Sequence, residues 1–280
     1  MVGYDVRIMR VFFFRRVVPC VSLVLALLAL PATAELPEKA KDALVRGVEA
    51  FKAGDYAEAT AAFEEASSAA PDETVPHLYL GTAYSYQVIP NLDSPGNAEL
   101  GRKAIGELSK VPPSFTGYVG ALRQIASVKR NLKDFEGARA EELRVLEIAP
   151  DDAQSRYTVG VIDWTTAYKA AVAALAAEGF KDDGVGNARL SRDACITLRT
   201  EQQPVVAEAI DQLQRALDLK PDYSDAMSYL NLVYRRRADF ACGDAAVRQK
   251  DVALASDWAR RAIQARKAET TNRSAEAPHP

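Results

Sequence analysis

The chain has 280 residues, 48% of them apolar and 26% charged, with a net charge of −3. This is a globular composition, with neither a collagen-like nor a broadly disordered bias. The small net charge, with no basic patch interleaved with aromatics, argues against a nucleic-acid partner.

The first segment stands apart. Arg7, Arg10, Arg15 and Arg16 precede the apolar run VVPCVSLVLALLAL, and Ala32-Thr33-Ala34 follow before Glu35. A positive segment, an apolar stretch and a small-residue site together predict a secretory signal peptide over 1–34, cleaved after Ala34. The run is short against the about 20 residues of a bilayer span. The expected location is periplasmic or secreted, with no membrane contact after cleavage; an uncleaved N-terminal membrane anchor is the alternative. Cys20 lies early in the run, so it does not occupy an acylation position.

Past Glu35 the apolar residues recur at spacings of three and four, which predicts helix nearly throughout. A repeat is visible. In ALVRGVEAFKAGDYAEATAAFEEASSAAPD, Gly47 sits in a first helix and Gly54-Asp55-Tyr56 makes a turn. Ala59, Phe63 and Ala66 stripe a second helix, and Pro71 closes the unit. A second copy carries Leu80-Gly81 and Tyr84, then Ala104 and Leu108. A third carries Ala126, Asp134-Phe135, Ala138 and Pro150. A fourth carries Gly160, Ala209, Leu213, Ala216 and Pro221, and a fifth Leu230, Tyr234, Ala255, Trp258 and Ala262. Gly47 to Gly81 is 34 positions, and Ala126 to Gly160 is 34 again. Gly81 to Ala126 is 45 and Gly160 to Asn231 is 71, the excess falling between the two helices of a repeat. Asn231, in the glycine position, predicts a wider helix crossing in the fifth copy.

This pattern resembles the tetratricopeptide repeat. Over its whole length the chain is similar to exported bacterial tetratricopeptide proteins, through GVIDWTTAY and PDYSDAMSYLNLVYRRRAD. The resemblance implies an all-α, right-handed α-solenoid of five helical hairpins. The repeats are placed at 40–73, 74–118, 119–152, 153–223 and 224–266. A long helical insertion, 165–204, lies in the fourth and a short one in the fifth. The tail, 267–280, lacks apolar residues and is expected to be disordered.

In that family the first helices line a concave groove that binds peptides. Carried onto this chain, the groove takes Tyr79 and Tyr86 from the second repeat, and Arg123, Gln124, Arg130 and Asn131 from the third. The fourth gives Tyr157, Val161 and Trp164, and the fifth Tyr229, Leu232, Arg235 and Arg236. Tyr, Trp and Arg are the residues of binding hot spots, and arginine grips carboxylates through paired hydrogen bonds. The implied function is a protein–protein interaction scaffold or peptide-binding module of the cell envelope. The lysines and asparagines of the family's dicarboxylate clamp are not reproduced.

Signals for catalysis are thin. Beyond the leader there are two histidines, His77 and His279, and neither forms a Ser/His/Asp or Cys/His arrangement. The stretch GVGN, 184–187, lacks a following lysine-serine, and DDGVGNARLSRD lacks the oxygen spacing of a calcium loop. No CxxC or CxxCH occurs. No enzymatic activity, cofactor or metal is expected. A permanent subunit of a larger envelope complex stays open, as does a small-ligand or enzymatic pocket under the fourth-repeat insertion.

The insertion carries the remaining expectations. TTAYKAAVAALAAEGF extends the first helix to about Glu178, Gly179 caps it, and NARLSRDACITLRTEQQ folds back as another helix. Cys195 lies 14 positions before Ala209, and Cys242 lies 13 before Ala255. The two alanines hold equivalent places in adjacent repeats, so the cysteines emerge on one edge, and an oxidising compartment predicts a Cys195–Cys242 disulfide. Tyr157, Val161, Trp164, Tyr168 and Leu175 share a helical face, placing Trp164 between groove and insertion. Asp163 is expected to pair with Arg189, Arg192 or Arg199.

Overall fold

The computed structural model describes residues 36–276; the expected signal segment 1–34 lies outside them. Ten α-helices follow in chain order: α1 Glu38–Lys52, α2 Tyr56–Ala69, α3 Thr74–Gln87, α4 Pro95–Leu108, α5 Tyr118–Asn131, α6 Phe135–Ile148, α7 Ala153–Ala177, α8 Arg192–Leu219, α9 Ser224–Ala238 and α10 Ala245–Glu276. No strand occurs among the described residues. Consecutive helices pair as hairpins, and each hairpin stacks on the next.

The hairpins close because one small residue meets one large one. A Cβ built on Gly47 would lie 2.4 Å from the Phe63 ring, one on Gly81 2.7 Å from Leu108, and one on Gly160 2.6 Å from Leu213. Phe63, Leu108 and Leu213 are each fully buried. Side-chain caps start many of the helices: Asp55 accepts from the Glu58 amide, Asp134 from Gly137 and Asp152 from Ser155, each satisfying an amide the helix leaves unpaired. The turn at Gly54 has φ +81°, which explains the glycine there.

Three details differ from the sequence expectation. The second helix of repeat two begins at Pro95, capped by Ser94, more than two turns before Ala104, the first residue the sequence pattern placed on it. In repeat four the fold-back helix does not end at Pro204 but fuses with the repeat's own second helix into the 28-residue α8. An internal proline costs a free helix about 3 kcal/mol; here Leu198 and Val206, on either side of it, pack in one core with Ala167 and Ala171 of α7. Finally, the helix of residues 245–266 continues to Glu276 where a disordered tail was expected. RKAETTNRSAE contains no glycine or proline, and the first breaker is Pro278. The expected end of the extended first helix, by contrast, falls where the glycine put it: α7 closes at Ala177, and Gly179 has φ +76°.

Cys195 and Cys242 are bonded, with Cα atoms 5.4 Å apart, and tie the start of α8 to the turn before α10. They are 47 positions apart, so the bond stabilises by about 4 kcal/mol if loop entropy dominates.

Two outcomes test this packing. Gly47→Ala should lose about 1–3 kcal/mol, because the Phe63 ring has nowhere to retreat; an unchanged urea midpoint rejects the close-contact account. Cys242→Ser should lower the unfolding free energy by about 3–4 kcal/mol, read against wild type with and without reductant. Equal stability in all three samples contradicts the latch.

Candidate functional site on the first helices

The first helices, α1, α3, α5, α7 and α9, present three zones. At one end Phe51, Tyr56 and Tyr86 form a ring cluster, with Phe51 and Tyr86 edge-on at 4.8 Å. Tyr79 stacks on Phe63 at 5.3 Å. Tyr79 and Tyr86, predicted as groove residues, therefore also bind repeat one to repeat two.

The middle zone is α5. Arg123 pairs with Asp152, the residue capping α7. Gln124 lies 3.4 Å from the Ser85 hydroxyl. Asn131 contributes its backbone: its carbonyl accepts from the Asn91 amide at 2.9 Å. The half-buried Arg130 side chain has no hydrogen bond or ion pair among the described residues.

The far zone is the largest. Tyr157 packs on Tyr223 at 4.9 Å and edge-on to Tyr229 at 5.6 Å. Trp164 stands edge-on to Tyr229 and stacks on Tyr168, both at 5.3 Å. Leu232, on the same helix as Tyr229, is half-buried, as is Val161 on α7. The Trp164 indole N–H is buried without a partner, and the Tyr157 and Tyr229 hydroxyls make no hydrogen bond among the described residues. Burial raises both phenols above their ordinary range, and the Arg130 charge works in the opposite sense on each. Thus Arg130, from repeat three, projects its field into the aromatic cluster of repeats four and five. The repeat pattern placed these residues on one face but gave no sign that, of the four predicted groove arginines, Arg130 alone has no side-chain partner.

Two predicted groove residues are elsewhere. Arg236 is 3% exposed. Its guanidinium meets Asp182 at 2.9 Å and Asp239 at 3.1 Å, with Tyr168 beneath it. Asn187 links the two acids, donating to Asp239 at 2.9 Å and to Asp182 at 3.0 Å. Arg235 donates to the Gly184 carbonyl and, through Nε, to Asn231 at 3.1 Å. Both arginines hold the insertion loop 182–187 rather than lining an open groove. A buried charge requires a partner, and the loop's aspartates supply it. Burial opposes ionisation of Asp182, but the Arg236 charge and hydrogen bonds hold it below its usual range; burial pushes Asp239 up, with Arg236 opposing.

Asp163 pairs with Arg139 at 2.7 Å, across the repeat boundary from α6, and not with an insertion arginine. Burial raises its carboxyl and the Arg139 bond opposes the rise. His77 is buried, with Glu107 and Ser67 both at Nδ1 (2.6 and 3.1 Å) and the Pro71 carbonyl 2.7 Å from Nε2. A serine relay needs hydroxyl and acid on opposite ring nitrogens, so this trio is a structural clamp between α2, α3 and α4.

One buried acid escaped the sequence reading. Glu142 lies four positions after Ala138, as Phe63 lies four after Ala59 and Leu213 four after Ala209. A carboxyl thus occupies the place where other hairpins put their filling side chain, 4% exposed and with Oε2 unpartnered. Burial raises it to about 6, against the opposing influence of the Ser155 hydroxyl and then the charges of Arg130 and Arg123. Aligning the second helices on their first alanine would have exposed it.

Five stacked hairpins, three of them closed by this small-to-large contact, make the described residues an all-α solenoid with the tetratricopeptide-repeat fold. Neither a family model nor a curated protein matches its sequence. Among solved structures, MamA from Desulfovibrio magneticus RS-1 (residue 41 to the end) superposes with a TM-score of 0.54 and 16% identity, over 84% of this chain and 98% of that one. A second MamA structure gives 0.53 and 16%, over 87% and 99%. YrrB, a tetratricopeptide protein with an unusual peptide-binding site, gives 0.48 and 14%, over 80% and 90%. At 16% identity the likeness to MamA is one of fold.

Glu142 sets a pH dependence. Its folded value, about 6, lies above its ordinary 4.5. The stability it contributes is therefore complete below about pH 4.5 and is lost as pH rises through 6. Glu142→Gln should be more stable than wild type by about 2 kcal/mol near pH 8 and equal to it near pH 4. Parallel stability–pH curves for the two proteins would show that Glu142 is ionised at no cost.

Proposed function

We propose that this chain is an exported interaction module whose first-helix face binds a peptide segment bearing an apolar or aromatic anchor beside a carboxylate. The observation that carries this reading is the unpaired Arg130 beside Tyr157, Trp164 and Tyr229, whose polar atoms lack partners. Aromatic rings offer large contact area at small entropic cost, and a lone guanidinium favours an anion. The other arginines of this face are committed to Asp152, Asp182, Asp239 and the Gly184 carbonyl. Specificity for charge therefore rests on repeat three, and apolar affinity on repeats four and five.

Export is supported by the arginine-flanked apolar leader and the Ala-Thr-Ala site, and by a disulfide suited to an oxidising compartment. No helix among the described residues is long and apolar enough to cross a membrane.

Panning a random peptide library on the purified chain tests the binding reading. Enriched peptides should carry Asp or Glu next to Phe, Trp or Leu. Tyr229→Ala or Arg130→Ala should weaken them about thirtyfold, the scale of a hot-spot residue. Failure to enrich any motif, or equal binding by both variants, rejects the site. For export, mass spectrometry of the protein from its native cells should find Glu35 as the mature N-terminus; a retained leader rejects cleavage.

A further inference from the structure

Successive repeats are joined by four residues at 70–73, 149–152 and 220–223, but by nine at 109–117, where Pro112-Pro113 interrupts the chain. The long connection leaves a cleft of about 280 Å³ between the end of α4 and both helices of repeat three. Its accessible apolar lining is Ile105, Pro112, Pro113 and the Tyr118 ring, above a floor of Leu108, Val111, Leu122 and Ile125 that is almost wholly covered. One wall is a polar chain. Lys129 donates to Glu141 at 2.8 Å, Arg144 donates to the same carboxylate at 2.7 Å, and Arg144 also donates to the Tyr118 hydroxyl at 2.5 Å. Lys110, on the rim, is spent on Glu107 at 3.0 Å. Two cations thus share one carboxylate, and the wall keeps a surplus of one positive charge.

The geometry points to a binding site for a small amphipathic carboxylate, separate from the first-helix face. Its apolar body would lie against Ile105, Pro112, Pro113 and the Tyr118 ring, and its single negative charge would answer the surplus at Lys129 and Arg144. Charge balance argues for one carboxylate and against a phosphate or a dianion. The cleft sits at the lower edge of the roughly 300–1,000 Å³ of sites for drug-sized ligands, so the occupant is small. A short aromatic or branched carboxylic acid has the right division into apolar body and charged head. No other connection between repeats is long enough to open such a space, which ties the site to the nine-residue linker.

Calorimetric titration of the purified full chain with phenylbutyrate tests this, with the uncharged phenylbutyramide as comparator. One-to-one saturable binding of the acid, at least about tenfold tighter than the amide, is expected. Arg144→Gln, which cancels the surplus charge, should remove that preference. Ala121→Phe, which fills the cleft from α5, should abolish binding of both compounds while the thermal melt shows the chain still folded. Tyr229→Ala should leave the titration unchanged, which separates this site from the peptide-binding face. Absence of saturable binding overturns the proposal; so does equal affinity for acid and amide, or undiminished binding by a folded Ala121→Phe chain.

Discussion

Everything in this fold depends on how closely two antiparallel helices can approach. A glycine on the first helix and a large apolar residue on the second set that distance in three of the five hairpins, through Gly47 and Phe63, Gly81 and Leu108, Gly160 and Leu213. The contact buries one face of each hairpin and leaves the other apolar, so a hairpin is stable only against its neighbours. Phe63 illustrates the linkage, filling its own hairpin while stacking on Tyr79 of the next. Folding energy is therefore distributed along the stack, and the aromatic residues of the first helices are structural before they are anything else.

That constraint makes the exceptions informative. Repeat three keeps the small residue, Ala126, but places Glu142 where repeats one, two and four place a large apolar filler. Burying a carboxylate costs several kcal/mol unless charge compensates it, and here Ser155, Arg130 and Arg123 offset only part of that cost. Arg123 is already committed to Asp152, a fixed point at the start of α7. Arg130 is held only by this diffuse field, which leaves its hydrogen-bonding groups open. A buried acid that satisfies a cation by charge but not by contact keeps that cation in place and available.

The repeat architecture was legible because its determinants are local. Small residues 34 positions apart, turn signals at Gly54-Asp55 and Asp134, and closing prolines at 71, 150 and 221 all act within one hairpin. Equal offsets from Ala209 and Ala255 were enough to place the two cysteines on one edge. The candidate site was only half legible. Alignment put Tyr157, Trp164 and Tyr229 on one face, because that depends on helical period. It misplaced Arg235 and Arg236, because their surroundings come from a loop more than fifty positions away. The partner of Asp163 was missed for the same reason: Arg139 reaches it from the preceding repeat. Pairing across repeats depends on how the hairpins stack, and no local pattern records it.

The insertion alters the first-helix face by subtraction. Without it, Arg235 and Arg236 would extend a basic, aromatic surface to the end of the solenoid. Loop 182–187 neutralises that end with Asp182 and a backbone carbonyl, and the disulfide fixes the neighbouring start of α8 against the turn before α10. What stays open is the aromatic cluster, bounded by a buried salt-bridge network on one side and a single unpaired arginine on the other. A surface with one available cation at one end has polarity, so on the proposed reading a peptide segment would lie on it in one favoured direction. The insertion, rather than adding a surface of its own, leaves the first-helix face with an available cation at one end only.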